Sequence, residues 1–91
     1  MEKVKRLILA GASFSGAVRE ALPMSASAFA LKYGLPRSAL SEGLSGARGM
    51  TDAMFSALVA ELGGTVEEWR ELQRQARIAA ANADAAVAAT A

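Results

Sequence analysis

The sequence contains no cysteine and no histidine among its 91 residues. Without cysteine, the chain can form neither a disulfide nor a reactive thiolate. Without histidine, it lacks the side chain that acts most often as a general base or a metal ligand. These absences argue against an enzyme, and we predict no catalytic residue, no metal site, no cofactor and no small-molecule substrate.

Long apolar runs are missing as well. A membrane-spanning helix needs roughly 18 apolar residues, whereas the apolar stretch at 7–12 is only six residues long. Basic residues precede this stretch, as they do in a signal peptide, but no clean cleavage pattern follows it. We therefore expect a cytoplasmic protein that has no membrane partner.

Charge is unevenly distributed along the chain, although the net charge is only +1. Residues 1–50 carry seven basic and three acidic side chains, a net charge of +4. Residues 51–91 carry three basic and six acidic side chains, a net charge of −3. A basic half beside an acidic half suggests that one surface faces a polyanion and another faces solvent or a partner.

The residue pattern predicts an all-α fold with five or six helices. Alanine is abundant, and no alternating run reaches the length of a strand. Residues 1–64 are interpreted as a helix-turn-helix DNA-binding domain with an extra N-terminal helix, and residues 65–91 as a long C-terminal helix. The predicted helices cover residues 2–12, 14–22, 26–33, 37–44, 52–62 and 66–88.

Helix boundaries are marked by capping residues. Ser25 and Thr51 are expected N-caps, and Pro36 is expected at the first helical position. Thr65 begins a Thr-x-x-Glu capping box that opens the last helix. Gly34 is expected to hold a positive φ, because it ends one short helix just before another begins.

Residues 25–46 form the most informative stretch. Two short helices flank the turn at Gly34, and the small residue Ala30 lies four positions earlier, where the two helices approach closely. Phe29, Leu35 and Leu40 occupy inward positions. This pattern is typical of a helix-turn-helix, whose first helix crosses the phosphate backbone while its second enters the major groove.

Over residues 14–75 the sequence resembles the lambda-repressor-like family, also called the Cro or XRE family. The similar segments are the lead-in at 19–25, the turn at 30–34, the start of the recognition helix at 37–41, the ending at 44–48 and the linker at 61–69. The sequence departs from the family pattern at Ala26, Glu42 and Gly43, where the family commonly has glutamine, a basic residue and a hydrophobic residue.

The resemblance implies sequence-specific binding of a double-stranded DNA operator by a homodimer that regulates transcription, with repression as the default. Arg37 can contact guanine through two hydrogen bonds, and Glu42 can accept one from cytosine or repel wrong sites. The candidate base-contacting residues are Arg37, Ser38, Ser41 and Glu42. The candidate phosphate-contacting residues are Ser25, Ser27, Lys32, Ser45 and Arg48.

The last helix carries an apolar stripe at near-heptad spacing, which predicts a dimerisation surface. The stripe consists of Trp69, Leu72, Ala76, Ala80, Ala83 and Val87. In the opposing interpretation, Trp69 and Leu72 cap the protein's own core and the alanine-rich run beyond Ile78 is disordered.

A second function class remains open at this point. The alternative is a protein-interaction module, such as an antitoxin or a phage or plasmid accessory factor. The near-neutral net charge and Glu42 favour this alternative slightly. Salt-dependent binding to DNA separates the two classes, because only a DNA-binding protein loses DNA affinity steeply as salt rises.

Overall fold

The fold is all-α, as the residue pattern predicts. The computed structural model describes the backbone of residues 1–90 and the side chains of residues 1–83. The helices are α1 (Glu2–Leu9), α2 (Phe14–Ala21), α3 (Ala26–Lys32), α4 (Arg37–Ser45), α5 (Asp52–Leu62) and α6 (Val66–Thr90). Within the described residues, no helix combines the length and the mean hydropathy that crossing a bilayer requires.

The helix boundaries follow the capping signals closely, with two corrections. α5 has the predicted bounds, and Thr51 caps it by accepting a hydrogen bond from the Met54 amide. α1 ends at Leu9 and not near residue 12, because Gly11 adopts a φ of 102° that a right-handed helix cannot continue. Pro36 is the N-cap of α4 and not its first helical residue, since its ψ of 128° is extended.

A single hydrophobic core joins all six helices. Phe29 of α3 and Leu58 of α5 lie at its centre, and both are fully buried. Val4 fixes α1 to the same core, again without any exposed surface. The core side chains are Val4, Phe14, Ala17, Val18, Leu22, Phe29, Ala30, Leu40, Leu44, Met54, Phe55, Ala57, Leu58, Trp69, Leu72 and Ala76.

Trp69 attaches the first turns of α6 to this core. Its side chain is 0% exposed, and its Nε1–H donates a 2.8 Å hydrogen bond to the Gly63 carbonyl. Phe14 meets the indole edge to face, with ring centroids 6.3 Å apart. Because the Gly63 carbonyl satisfies the N–H, the hydrogen bond offsets the cost of removing this polar group from water, and burial of the ring stabilises the fold.

The turn between α3 and α4 has the geometry that the glycine predicts. Gly34 has a φ of 66°. The Leu35 amide donates to the Ala30 carbonyl at 2.8 Å, and the Gly34 amide donates to the Leu31 carbonyl at 3.3 Å. These two bonds form a Schellman motif, which satisfies the last carbonyls of α3 and sets the direction in which α4 leaves the turn.

We expect Gly34→Val to lower the free energy of unfolding by more than about 1 kcal/mol, because a β-branched side chain is poorly tolerated at positive φ. Gly34→Asn is the matched control, since asparagine adopts this conformation more readily. Urea titration of the two variants and the wild type measures the difference. Equal midpoints for Gly34→Val and the wild type would contradict the role given to this turn.

Gly43 leaves a space in α4 that methionine side chains fill. A Cβ atom placed on Gly43 would lie 3.0 Å from Met50 Cγ and 3.2 Å from Met54 Sδ. The Gln73 side-chain amide also donates a 3.1 Å hydrogen bond to the Gly43 carbonyl. The departure from the family pattern at Gly43 is therefore compensated locally, because α4 contacts both methionines there and bonds to α6.

Candidate nucleic-acid interface

An open groove lies where α2, α3 and α4 meet, with a volume of about 550 Å³. The side chains that line it come from all three helices, because α4 packs against both α2 and α3. They are Arg19, Ala26, Ser27, Arg37, Ser38, Leu40 and Ser41. The structure thus brings four of the predicted DNA-contacting residues, Ser27, Arg37, Ser38 and Ser41, to one surface.

Arg37 stands at the N-terminal end of α4, and its side chain is exposed. Among the described side chains, none forms a salt bridge to it. Pro36 provides no side-chain cap for α4, so the first-turn N–H groups of this helix remain without a capping partner. A free guanidinium beside free amide donors favours a negatively charged or acceptor-rich ligand.

Arg19 is a groove residue that the sequence analysis did not assign to the site. Its Nε–H donates to Ser15 Oγ at 3.1 Å within α2, and its Nη2 lies 3.5 Å from Ser41 Oγ on α4. These contacts direct the guanidinium toward the face of α4 that carries Ser38 and Arg37. The sequence signal was its place in the lead-in segment at 19–25, but the contact with α4 joins residues 22 positions apart.

Glu42 and Arg48 form an ion pair beside the groove. Arg48 Nε lies 3.0 Å from Glu42 Oε2, and both side chains remain partly exposed. Ser45 Oγ donates to the Glu42 carbonyl at 3.1 Å and so closes the end of α4. The structure does not place these three predicted DNA-contacting residues in the groove, and the ion pair balances the negative charge of Glu42 with the positive charge of Arg48.

Lys32 is directed toward α5. Its Nζ donates a 2.6 Å hydrogen bond to Glu61 Oε1, which also accepts one from the Tyr33 hydroxyl at 3.0 Å. The hydrogen bond from Lys32 lowers the pKa of the Glu61 carboxyl, and the same bond raises the pKa of Lys32. Lys32 is therefore engaged in holding α3 against α5 and does not line the groove.

Ser25 acts on the backbone of α3. Its hydroxyl accepts a 3.1 Å hydrogen bond from the Ala28 amide, which confirms the predicted N-cap. Ser27 is the second residue of the same helix and lines the groove. Both serines thus lie near the start of α3, where the helix dipole favours an anion, and their predicted contacts to phosphate remain predictions.

The stripe predicted for dimerisation divides into two parts. Trp69 and Ala76 are buried in the protein's own core, so for these two residues the prediction of a dimer surface is wrong. Leu72 packs in the same core and leaves only 6% of its surface exposed. The physical reason is that α6 packs on α5 and α2 through this face. Ala80 and Ala83 are exposed on the same helix, and the side chain of Val87 lies outside the described residues.

Within residues whose side chains are described, no cluster of three or more carboxylates is arranged to hold a metal ion. The resemblance to the lambda-repressor-like family stays a prediction from the residue pattern. Comparisons of the chain with protein-family models, with curated proteins and with solved structures each return no match.

Proposed function

We propose that the protein binds double-stranded DNA sequence-specifically through α4 and regulates transcription as a homodimer. The default mode of regulation is repression, in which the bound dimer blocks access to a promoter. One observation supports this most directly. The groove at α4 contains two arginines, Arg19 and Arg37, and no carboxylate among its lining residues. A surface with two guanidinium groups and three hydroxyl groups suits DNA, because its donors match phosphate and base-edge acceptors.

In the proposed complex, α4 enters the major groove. Arg37 is positioned to donate two hydrogen bonds to O6 and N7 of a guanine, and Ser38 and Ser41 face the base edges beside it. Arg19, held by Ser15 and Ser41, supplies a cation to the neighbouring phosphate. The N-terminus of α3, with Ser25 and Ser27, contacts a flanking phosphate group of the DNA backbone.

The Glu42–Arg48 pair has a separate role in this proposal. When α4 approaches DNA, phosphates compete with Glu42 for the Arg48 guanidinium. Release of Arg48 adds a phosphate contact and frees Glu42 to accept a hydrogen bond from a cytosine amino group. Sites that lack a suitable donor leave a carboxylate close to the DNA without a partner, which disfavours them.

A homodimer gives this small surface enough specificity. One helix-turn-helix reads only a few base pairs, so two recognition helices about 34 Å apart on one face of the DNA increase both affinity and selectivity. The expected operator is accordingly a two-fold symmetric sequence with half-sites one helical turn apart.

Selection of bound sequences from a random DNA pool tests the function. We expect enrichment of one palindromic site, because both subunits use the same α4 residues. With about six phosphate contacts per dimer, binding to that site should weaken about 10³-fold between 50 and 200 mM salt. Fluorescence anisotropy of a labelled duplex measures this change. If no sequence is enriched and no DNA is bound even at low salt, the protein is a protein-interaction module instead.

A further inference from the structure

A second groove, apolar and separate from the first, lies between α1 and α6. Its volume is about 460 Å³. The apolar side chains that line it are Ile8, Leu9 and Leu72, and the carboxylates are Glu67, Glu68 and Glu71. The DNA-binding proposal assigns no role to any of these residues.

Leu9 is the most exposed large hydrophobic residue in the described part of the chain, at 88%. It is presented by a helix that is fixed in place, because Val4 is buried in the core and Lys5 Nζ lies 3.8 Å from Glu68 Oε2. A lone exposed leucine is common on protein surfaces. Leu9 differs from such a residue because it continues the apolar wall that Ile8 and Leu72 form in the groove, and contiguous exposed apolar surface marks an interaction site.

The charges on α6 indicate what covers this groove. Helical spacing places Glu67, Glu71, Arg74 and Ile78 on one outward face, at positions i, i+4, i+7 and i+11. The acidic half of this face borders the groove. The other half carries Arg74 and Ile78, and Ile78 is 46% exposed. The same helix therefore carries an acidic segment and a segment that offers a cation and an apolar side chain.

We propose that this groove is the homodimer interface, occupied by α6 of a second copy of the chain running antiparallel to the first. In a two-fold arrangement, Arg74 of each copy faces Glu71 of the other, Ile78 lies beside Glu67 at one end of the groove, and the middle of the partner's α6 covers Leu9. Because a two-fold interface is self-complementary, each such contact occurs twice. The inference rests on the proposed function only in requiring a dimer, and it names the surface that forms it.

This interface differs from the alanine stripe. Ala80 and Ala83 continue the face of α6 that packs on the core, whereas Glu71, Arg74 and Ile78 lie on the opposite face. The intrachain pair between Arg74 and Glu71, with an Nε to Oε2 distance of 2.9 Å, keeps both charges near the groove in the free protein. On association, the same two side chains can exchange partners across the two-fold axis.

Sedimentation equilibrium without DNA tests the proposal directly. Leu9→Asp should weaken dimerisation about 10- to 100-fold, because a buried leucine at the interface is replaced by a charge. Leu31→Asp is the matched control, since Leu31 is 84% exposed but lies on α3, outside this groove. We expect the Leu31→Asp protein to dimerise like the wild type. Circular dichroism of both variants checks that the helices remain folded.

A charge exchange provides a second, independent test. Arg74→Glu alone leaves carboxylates as the only charged groups among these four positions and should weaken the dimer, most strongly at low salt. The double variant Glu71→Arg with Arg74→Glu restores opposite charges across the two-fold axis and should restore dimerisation. A merely structural role for the intrachain pair would alter stability but not the association constant.

The proposal is overturned if the wild type remains monomeric at about 1 mM, the concentration at which even a weak dimer forms. It is also overturned if Leu9→Asp dimerises as strongly as Leu31→Asp, or if Ala80→Lys abolishes the dimer while Leu9→Asp does not. These measurements contain no DNA. A dimer that depends on Leu9 but binds no operator would therefore refute the proposed function and leave this interface standing.

Discussion

Replacing Trp69 with alanine is expected to lower the free energy of unfolding by about 3–5 kcal/mol, the range for truncating a large buried aromatic residue. Trp69 is fully buried, packs edge to face with Phe14 and donates a hydrogen bond to the Gly63 carbonyl. Its removal leaves a cavity where α6 joins the core and an acceptor without its partner. Urea titration followed by circular dichroism measures the change.

Trp69→Phe separates the two contributions. Phenylalanine keeps an aromatic ring against Phe14 but loses the N–H donor, so we expect a smaller loss of about 1–2 kcal/mol from the missing hydrogen bond. If alanine and phenylalanine at this position cost the same free energy, the burial of the ring is not what attaches α6 to the core.

The second large effect concerns DNA recognition. We expect Arg37→Ala to weaken binding to the selected operator by about 1–3 kcal/mol and to relax the preference at one base pair in each half-site. The reason is that, among the α4 residues that line the groove, Arg37 is the only one with a positive charge. Anisotropy titrations with the operator and with a random duplex of equal length measure the difference.

Arg37→Lys is the control for charge. Lysine keeps the positive charge but loses the planar guanidinium fork, so we expect binding to random DNA to be nearly unchanged while discrimination falls. Should Arg37→Ala reduce binding to operator and random DNA equally, Arg37 contacts a phosphate and reads no base.

Local features of the fold were predictable from the sequence because local residues determine them. Ser25 and Thr51 cap the helices that follow them, and Gly34 adopts the positive φ that its position requires. Each depends on hydrogen bonds between residues a few positions apart. Pro36 shows where such rules become ambiguous. Its fixed φ suits both the N-cap and the first helical position, and only the ψ angle of Pro36 distinguishes these two positions.

The candidate groove was predictable in part, for a related reason. Arg37, Ser38 and Ser41 share one short helix, so helical geometry alone places them together. Arg19 reaches Ser41 from another helix, and Lys32 reaches Glu61 across 29 positions. Periodicity carries no information about such distant contacts, which depend on how the helices pack.

The apolar stripe of α6 illustrates the same limit. A regular spacing of apolar residues shows that one face of a helix is covered, but it does not show whether the protein's own core or another subunit covers it. In this structure, α5 and α2 cover the face that contains Trp69 and Ala76. The interaction surface proposed in its place combines Leu9 of α1 with α6, a pairing that no periodic pattern within one helix contains.

The burial of Trp69 also means that its intrinsic fluorescence can be used to follow the packing of α6. It is the sole tryptophan, and it lies outside the groove that contains Arg19 and Arg37. An indole shielded from water emits at shorter wavelength than an exposed one, so the emission maximum follows the attachment of α6 to the core and not the occupancy of the groove. A variant that loses DNA binding with an unshifted emission maximum has lost recognition, whereas a red shift indicates that the helix has separated from the core.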